Sequence, residues 1–334
     1  MPLPPLFLER LEKIIPLSQL AQVIATFSET PRPAFRLHHK NASREKILAE
    51  LTALGFDLEP VTWYRDAFRL LNKDIRSLQE TPCFQNHEIY IQGLASMLPV
   101  LALAPAPGDH ILDLCAAPGS KTGQILRLLA CHSRAVKDCP RVYGEQGNPA
   151  LKHTGELTAN EKIKTRFFKL KNNLDAQGYD NFKLTLKPGE IYCKLAPDTF
   201  DRVLLDSPCS SEGRFSTLYP DSYKFWSASK IKEMVFKQRA LFKSAFLSLK
   251  PGGSMVYATC TFAPEENEGM LDWALGRTDN KMEILDWNPP ITNWMEGITE
   301  WEGKTYSPEV KKARRILPNN QMTAFFVALV RKKD

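Results

Sequence analysis

Residues 203 to 213 read V-L-L-D-S-P-C-S-S-E-G. The apolar run Val203-Leu204-Leu205 has the character of a buried parallel strand. It delivers Asp206, Pro208 and Cys209 to the carboxyl edge of a sheet, where open α/β folds bind ligands. A second stretch behaves the same way: Ile111-Leu112-Asp113-Leu114-Cys115 turns through Ala116-Ala117-Pro118-Gly119-Ser120-Lys121 into a helix. Around these two, strand signals alternate with helical segments, the pattern of a doubly wound α/β sheet. The expected strands are 110–115, 155–159, 202–205, 254–258 and 324–330, with a turn at Lys250-Pro251-Gly252-Gly253 before the fourth.

The remaining chain bounds what that sheet can serve. Its 334 residues are 43% hydrophobic and 25% charged, which suits a globular protein of about two domains. The longest apolar run, 94–106, is interrupted by Pro99 and Pro105 and is too short to span a bilayer. Glu9 and Glu12 break the apolar residues near the start, so no export signal is expected. The 7 cysteines form no C-x-x-C pair and are expected as reduced thiols in the cytoplasm. Cys131, His132, Cys139 and His153 match no common zinc-finger spacing, so no metal is expected. The 44 basic against 38 acidic residues leave a net charge of +6, which admits an anionic polymer as partner. Basic runs at 311–315 and 331–333 are the places to look for it.

Before the sheet, residues 1–30 carry helical spacing (Leu8, Leu11, Ile14, Ile15), and Pro31 and Pro33 punctuate the chain. A short strand at 34–38 precedes a helix at 44–54, started by Ser43 and stopped by Gly55. Another strand is expected near 60–64, and a helix over 89–103. We therefore expect an N-terminal helical and small α/β region over 1–100 and a catalytic domain over 101–334. Residues 131–152, without periodicity, read as an inserted loop.

Three strand ends carry candidate chemistry. The 115–121 turn lacks both the dinucleotide and the phosphate-loop patterns. Its small residues let backbone N–H groups approach a ligand, and the helix start favours negative charge. That suits an adenosyl amino acid, whose carboxylate needs amide donors. Leu157-Thr158-Ala159-Asn160-Glu161 ends a second strand in a carboxylate placed to accept ribose hydroxyls, and Arg166 on the next helix is a further cofactor-side candidate. Met255-Val256-Tyr257-Ala258-Thr259-Cys260-Thr261 ends a third strand in a thiol. Two strand tips thus bring Cys209 and Cys260 toward one cleft, and either thiol fits the role of nucleophile.

Together L-D-L-C-A-A-P-G-S-K-T, D-S-P-C-S-S-E-G and V-Y-A-T-C-T-F-A-P-E-E-N-E resemble the Nop/Sun family of RNA (cytosine-5) methyltransferases. The likeness runs from about Arg32 to the end and includes Y-I-Q-G-L-A-S-M-L-P and R-R-I-L-P. It implies a Rossmann-like methyltransferase fold with a smaller RNA-binding unit, S-adenosyl-L-methionine as methyl donor, and RNA, ribosomal or transfer, as substrate of a monomer. It implies Cys260 as the nucleophile that adds to cytosine C6, Cys209 as the group assisting release, and Asp206 and Lys121 at the base. The cofactor would be held by Cys115, Ala116, Ala117, Pro118, Gly119, Ser120, Lys121, Glu161, Arg166 and Asp206.

This chain departs from the family pattern in several places. No aspartate follows the strand after Asn181, where Lys187-Pro188-Gly189-Glu190 stands instead. His38-His39 replaces a common asparagine, Asn320 a frequent histidine, and no further RNA-binding domain is expected after the catalytic one. Two rivals differ in visible ways. Amino-group methylation wants an aromatic at the strand tip, which Ser207-Pro208-Cys209 lacks. A non-catalytic RNA-binding assembly factor would have no need of Asp206, Cys209 and Cys260.

Overall fold

A computed structural model describes residues 2–38, 42–133 and 155–334. Two helices come first, α1 (Pro5–Ile14) and α2 (Leu17–Thr26). A small antiparallel sheet follows, built from β1 (Ala34–Leu37), β2 (Leu58–Pro60), β3 (Ala67–Leu70) and β4 (Ile89–Ile91) in the order β2-β3-β1-β4. Helices α3 (Arg44–Ala53), α4 (Ile75–Gln79) and α5 (Pro82–Gln85) accompany it, α3 capped by Ser43 as expected.

The large sheet holds β5 (His110–Asp113), β6 (Glu156–Asn160), β7 (Phe182–Thr185), β8 (Phe200–Asp206) and β9 (Leu249–Thr259), parallel in the order β7-β6-β5-β8-β9. Beyond them come β10 (Met282–Leu285), β11 (Trp294–Glu296), the small hairpin β12 (Glu300–Trp301) and β13 (Lys304–Thr305), β14 (Arg314–Ile316) and β15 (Phe325–Lys332). Strand β15 runs antiparallel to β9 and carries β14 and β10 on its other edge. The interleaved helices are α6 (Leu94–Leu103), α7 (Ser120–Ser133), α8 (Lys164–Gln177), α9 (Tyr192–Leu195), α10 (Ala228–Ser248) and α11 (Glu268–Leu275).

The alternation of side chains along each strand decides which helices cover which face. Ile111, Leu157, Leu204 and Val256 pack with α6, α7 and α8, whereas Leu112, Val203, Leu205 and Tyr257 pack with α1, α10 and α11. Each such buried aliphatic contributes roughly 1.5–3 kcal/mol. Among the described residues no helix is long and apolar enough to cross a membrane.

Several expectations need correction. The strand expected near 60–64 reaches only Pro60 of β2; residues 61–64 belong to the turn from β2 to β3, in which Val61 N–H donates to Ala67 O at 3.0 Å. Residues 89–103 are not one helix: Ile89–Ile91 pairs with β1, and α6 starts only after Gly93. The Lys250–Gly253 segment is an irregularity inside β9, because Phe200 pairs with Leu249 and Arg202 with Ser254. A boundary near residue 100 falls inside α6, which is buried on nearly all sides against the large sheet. Helices α1 and α2 also join that core, with Phe7 4.9 Å from Phe215 and 5.8 Å from Trp226 between ring centroids. The smaller unit is therefore 34–91, held between two segments of the larger one. Expectations for 131–152, including Cys131, His132 and Cys139, and those for His39 and His153, concern side chains outside the described residues.

The smaller unit is clamped to the larger through buried polar contacts. Arg36 is fully buried; its Nε donates to Gln92 Oε1 at 2.9 Å and its Nη2 to Ser120 O at 3.3 Å. His38 Nε2 lies 2.6 Å from Gln177 O, and its Nδ1 lies 2.9 Å from Tyr179 OH. The position where the family carries asparagine is thus a contact to α8.

Candidate active site

Chain connections leave β5 and β8 in opposite directions across the sheet, so the crevice at their carboxyl ends is its topological switch point. The loops after β5, β6, β8 and β9 meet there. After β5, Leu114 N–H donates to Leu204 O and Ala116 N–H to Asn160 O, at 3.0 and 2.9 Å, which ties the turn to both neighbouring strands. Gly119 closes the turn at φ 105°, a conformation that favours glycine, and an added Cβ would stand 3.0 Å from Leu170 Cδ1.

The expected cofactor residues gather around this turn. Cys115 is pushed well above the usual thiol range, first by burial and then by the carboxylates of Asp113, Glu161 and Asp206. Three carboxylates converging on one turn fit a cationic sulfonium ligand that also carries ribose hydroxyls. Burial moves Asp113 up to about 7, with Thr122 Oγ1 donating to it at 2.8 Å, and its Oδ1 has no hydrogen-bond partner among the described residues. Glu161 is buried at the end of β6 and accepts the Ile163 N–H at 2.9 Å. Arg166 donates to Ala117 O at 2.9 Å and stands 3.5 Å from Glu161; it positions the turn and its carboxylate. Glu190 stands 3.3 Å from Lys162 on the rim.

On the other side of the crevice, Cys209 Sγ and Cys260 Sγ are 3.4 Å apart. They sit just past the ends of β8 and β9, which pair in parallel register from Arg202↔Ser254 to Asp206↔Ala258. The two thiols are not equivalent. Cys260 is lowered to about 6 by the hydrogen bond from Cys209, helped by the Arg214 guanidinium and the Ser211 hydroxyl against burial and Asp206. Cys209 is driven well above its ordinary value, chiefly by that same hydrogen bond and by burial. The Arg214 guanidinium and the Ser211 hydroxyl stand on the Cys260 side, which biases the proton shared by the two sulfurs toward Cys209. Alkylation by iodoacetamide is expected to show it: labelling at Cys260 should rise through about pH 6, while Cys209 and Cys115 stay unlabelled at neutral pH. Half-maximal labelling of Cys260 near pH 8.5, the ordinary thiol value, would contradict the split.

Lys121 is nearly buried, donating from Nζ to Asp206 Oδ2 at 2.6 Å and to Ser96 Oγ at 2.9 Å, over the Phe325 ring at 5.1 Å. All four expected catalytic residues thus meet in one crevice. Ser96, Ser211, Arg214 and Phe325 join them and escaped the sequence reading. Ser96 and Ser211 had a signal, since they lie within Y-I-Q-G-L-A-S-M-L-P and D-S-P-C-S-S-E-G.

The motif around Cys260 is held by buried polar groups. Glu266 accepts the Ser210 N–H at 3.0 Å and Gln238 Nε2 at 2.7 Å, and burial pushes it up to about 8. Glu212 accepts Thr261 Oγ1 at 2.9 Å and the Phe262 N–H at 3.0 Å. Arg315, from R-R-I-L-P, donates to Glu268 Oε1 at 2.6 Å and to Phe262 O at 2.9 Å, with both charged side chains buried. Arg315→Met is expected to cost about 3–5 kcal/mol in urea unfolding, because it strands the Glu268 carboxylate. A loss below 1 kcal/mol would mean that the pair does not hold this loop.

The family profile described as 16S rRNA methyltransferase RsmB/F matches residues 100–138 and 149–331. The chain belongs to this family. It is an S-adenosylmethionine-dependent methyltransferase. It is 35% identical over 306 residues to the tRNA (cytosine(49)-C(5))-methyltransferase of Pyrococcus abyssi, covering 90% of this chain and 88% of that protein. It is 34% identical over 334 residues to the ribosomal RNA small subunit methyltransferase F of Vibrio campbellii, covering 99% of this chain but only 63% of that protein. Among solved structures, a methyltransferase homolog protein from Pyrococcus horikoshii superposes with a TM-score of 0.79 at 27% identity, covering 99% of this chain and 95% of the other. The enzyme shares with it the architecture that places the crevice.

Proposed function

We propose that this enzyme methylates C5 of a cytosine in RNA through a covalent bond to Cys260, working as a cytoplasmic monomer with ribosomal RNA as substrate. The pair of sulfurs 3.4 Å apart beside the Lys121–Asp206 pair carries this reading. Cytosine C5 is too weak a nucleophile to take a methyl group unaided. The Cys260 thiolate adds to C6, forming an S–C6 bond and moving the C5–C6 π electrons toward C5. Asp206 and Lys121 present an acceptor and a donor to the N3/N4 edge, where charge builds as the bond forms. S-adenosylmethionine, held against the 115–121 turn by backbone N–H groups and Glu161, supplies the electrophilic methyl group.

Release follows from the same thiol pair. While Cys260 is a thiolate, its charge keeps Cys209 protonated. Once Cys260 is bonded to carbon, that charge is gone and Cys209 becomes the more acidic group. Having given its own proton to solvent, it takes the C5 proton as the C5–H electrons restore the C5–C6 double bond and the C6–S bond breaks to return Cys260 as thiolate. A target base must leave any stack to reach the crevice, so unpaired or splayed RNA is the expected form.

Transfer RNA is the second reading. It is favoured by the Pyrococcus abyssi relative, which this chain spans almost end to end. Labelled S-adenosylmethionine, incubated with ribosomal and transfer RNA from a strain lacking the gene, tests both. Label in 5-methylcytosine, mapped by bisulfite sequencing to ribosomal RNA, is the expected result. Label in a methylated amino group, or RNA binding without label, would overturn the reading.

A further inference from the structure

A groove of about 150 Å³ opens beside the crevice. Gly213 and Arg214 line it on the side of the thiols, Glu29 on the side of α2, Asn319 and Met322 on the side of the loop before β15, and Tyr219 where it meets solvent. Its walls are tied together: Thr217 N–H donates to Phe27 O at 2.7 Å and Arg32 N–H to Asn320 O at 3.4 Å. Asn319 Oδ1 takes the N–H groups of Gln321 and Met322 at 2.9 and 3.1 Å, which commits its oxygen to the turn and leaves its NH2 for a ligand. The groove is therefore built before anything binds.

Three features say what it holds. Gly213 N–H donates to Cys260 O at 2.9 Å, and a Cβ there would come within 2.9 Å of that oxygen, so the groove begins one residue from the reacting sulfur. Arg214 stands near enough to Cys260 to feel its charge yet is exposed, so the same guanidinium faces the thiol pair and meets an anion arriving through the groove. Tyr219 is 66% exposed, an aromatic face with room for a partner. Cation and aromatic face together are the pairing that holds single-stranded nucleotides, phosphate on one and base on the other.

We infer that the groove holds the nucleotide adjoining the target cytosine in the RNA strand, its base on Tyr219 and its phosphate at Arg214. The inference rests on the reading of the crevice as a cytosine-C5 site. When the target base leaves its stack, the adjoining base loses a stacking partner, and Tyr219 replaces it. Glu29 is the acidic group among the lining residues and opposes the phosphate.

The test uses the full chain and a synthetic stem-loop RNA around a methylated cytosine, unmodified or abasic at the nucleotide on its 5′ or 3′ side. Wild-type enzyme is expected to lose about tenfold in kcat/KM on one abasic RNA and little on the other. Tyr219→Ala should lose about as much on the unmodified RNA and nothing further on that abasic one. Glu29→Gln should lower KM a few-fold with kcat unchanged. Equal sensitivity of wild type and Tyr219→Ala to the abasic position, or none in the wild type, would overturn the groove assignment. Trapping on 5-fluorocytosine RNA separates the two levels: trapping retained while the abasic RNAs behave alike sinks the groove alone, and no trapping by wild type sinks the cytosine reading beneath it.

Discussion

Cys260→Ala is expected to lower kcat by about 10⁴-fold or more and to abolish covalent capture of 5-fluorocytosine RNA. Among the described cysteines Cys260 is the one lowered toward neutrality, to about 6, whereas Cys83, Cys115 and Cys209 are raised. No second thiolate is therefore at hand to replace it. The substitution removes one small buried group, so the fold should survive, and unchanged urea unfolding is the control. Residual turnover above one per cent of wild type would mean that another group attacks C6.

Cys209→Ala should fail later and in the opposite sense. Addition to C6 still occurs, release does not, and a covalent enzyme–RNA complex accumulates on ordinary cytosine RNA, visible as a shifted band on a denaturing gel. A second effect accompanies it. Since the hydrogen bond from Cys209 is the largest cause of the low Cys260 value, its loss moves Cys260 back up toward the ordinary thiol range. Below that value the thiol is protonated and cannot add, so adduct formation should need higher pH in the variant than in wild type. Accumulation without the pH displacement would mean that Arg214 and Ser211 suffice to hold the thiolate.

Much of this site was legible because the chemistry sits at strand ends. An apolar run followed by Asp206, Pro208 and Cys209 specifies both a strand and what its tip delivers, and the same holds for Cys260. The adjacency of the two tips followed from the α/β alternation, and β8 and β9 do pair. What joins distant segments was hidden. Lys121 meets Asp206 and Ser96 across 85 and 25 residues, and no periodicity encodes that. The unequal acidity of the thiols also depends on Arg214, whose place beside Cys260 is set by the loop conformation after β8.

The misread elements have local causes. An apolar stretch such as 89–103 carries both strand and helix periods, and the break at Gly93 was the clue to its two parts. Strand β3 went unread although its sequence, Ala67-Phe68-Arg69-Leu70, repeats that of β1, Ala34-Phe35-Arg36-Leu37. The two pair antiparallel, Phe35 opposite Phe68 with rings stacked at 5.6 Å. Helices α1 and α2 show apolar faces in the sequence, but a face says only that something covers it. Here Phe7 and Phe27 meet Phe262, two residues beyond the nucleophile.

The most direct test is to digest the covalent complex formed with 5-fluorocytosine RNA in the presence of S-adenosylmethionine and to sequence the cross-linked peptide by mass spectrometry. The expected modified residue is Cys260, joined through sulfur to C6 of a ring already methylated at C5. A nucleotide joined to Cys209, with Cys260 free, would contradict the account.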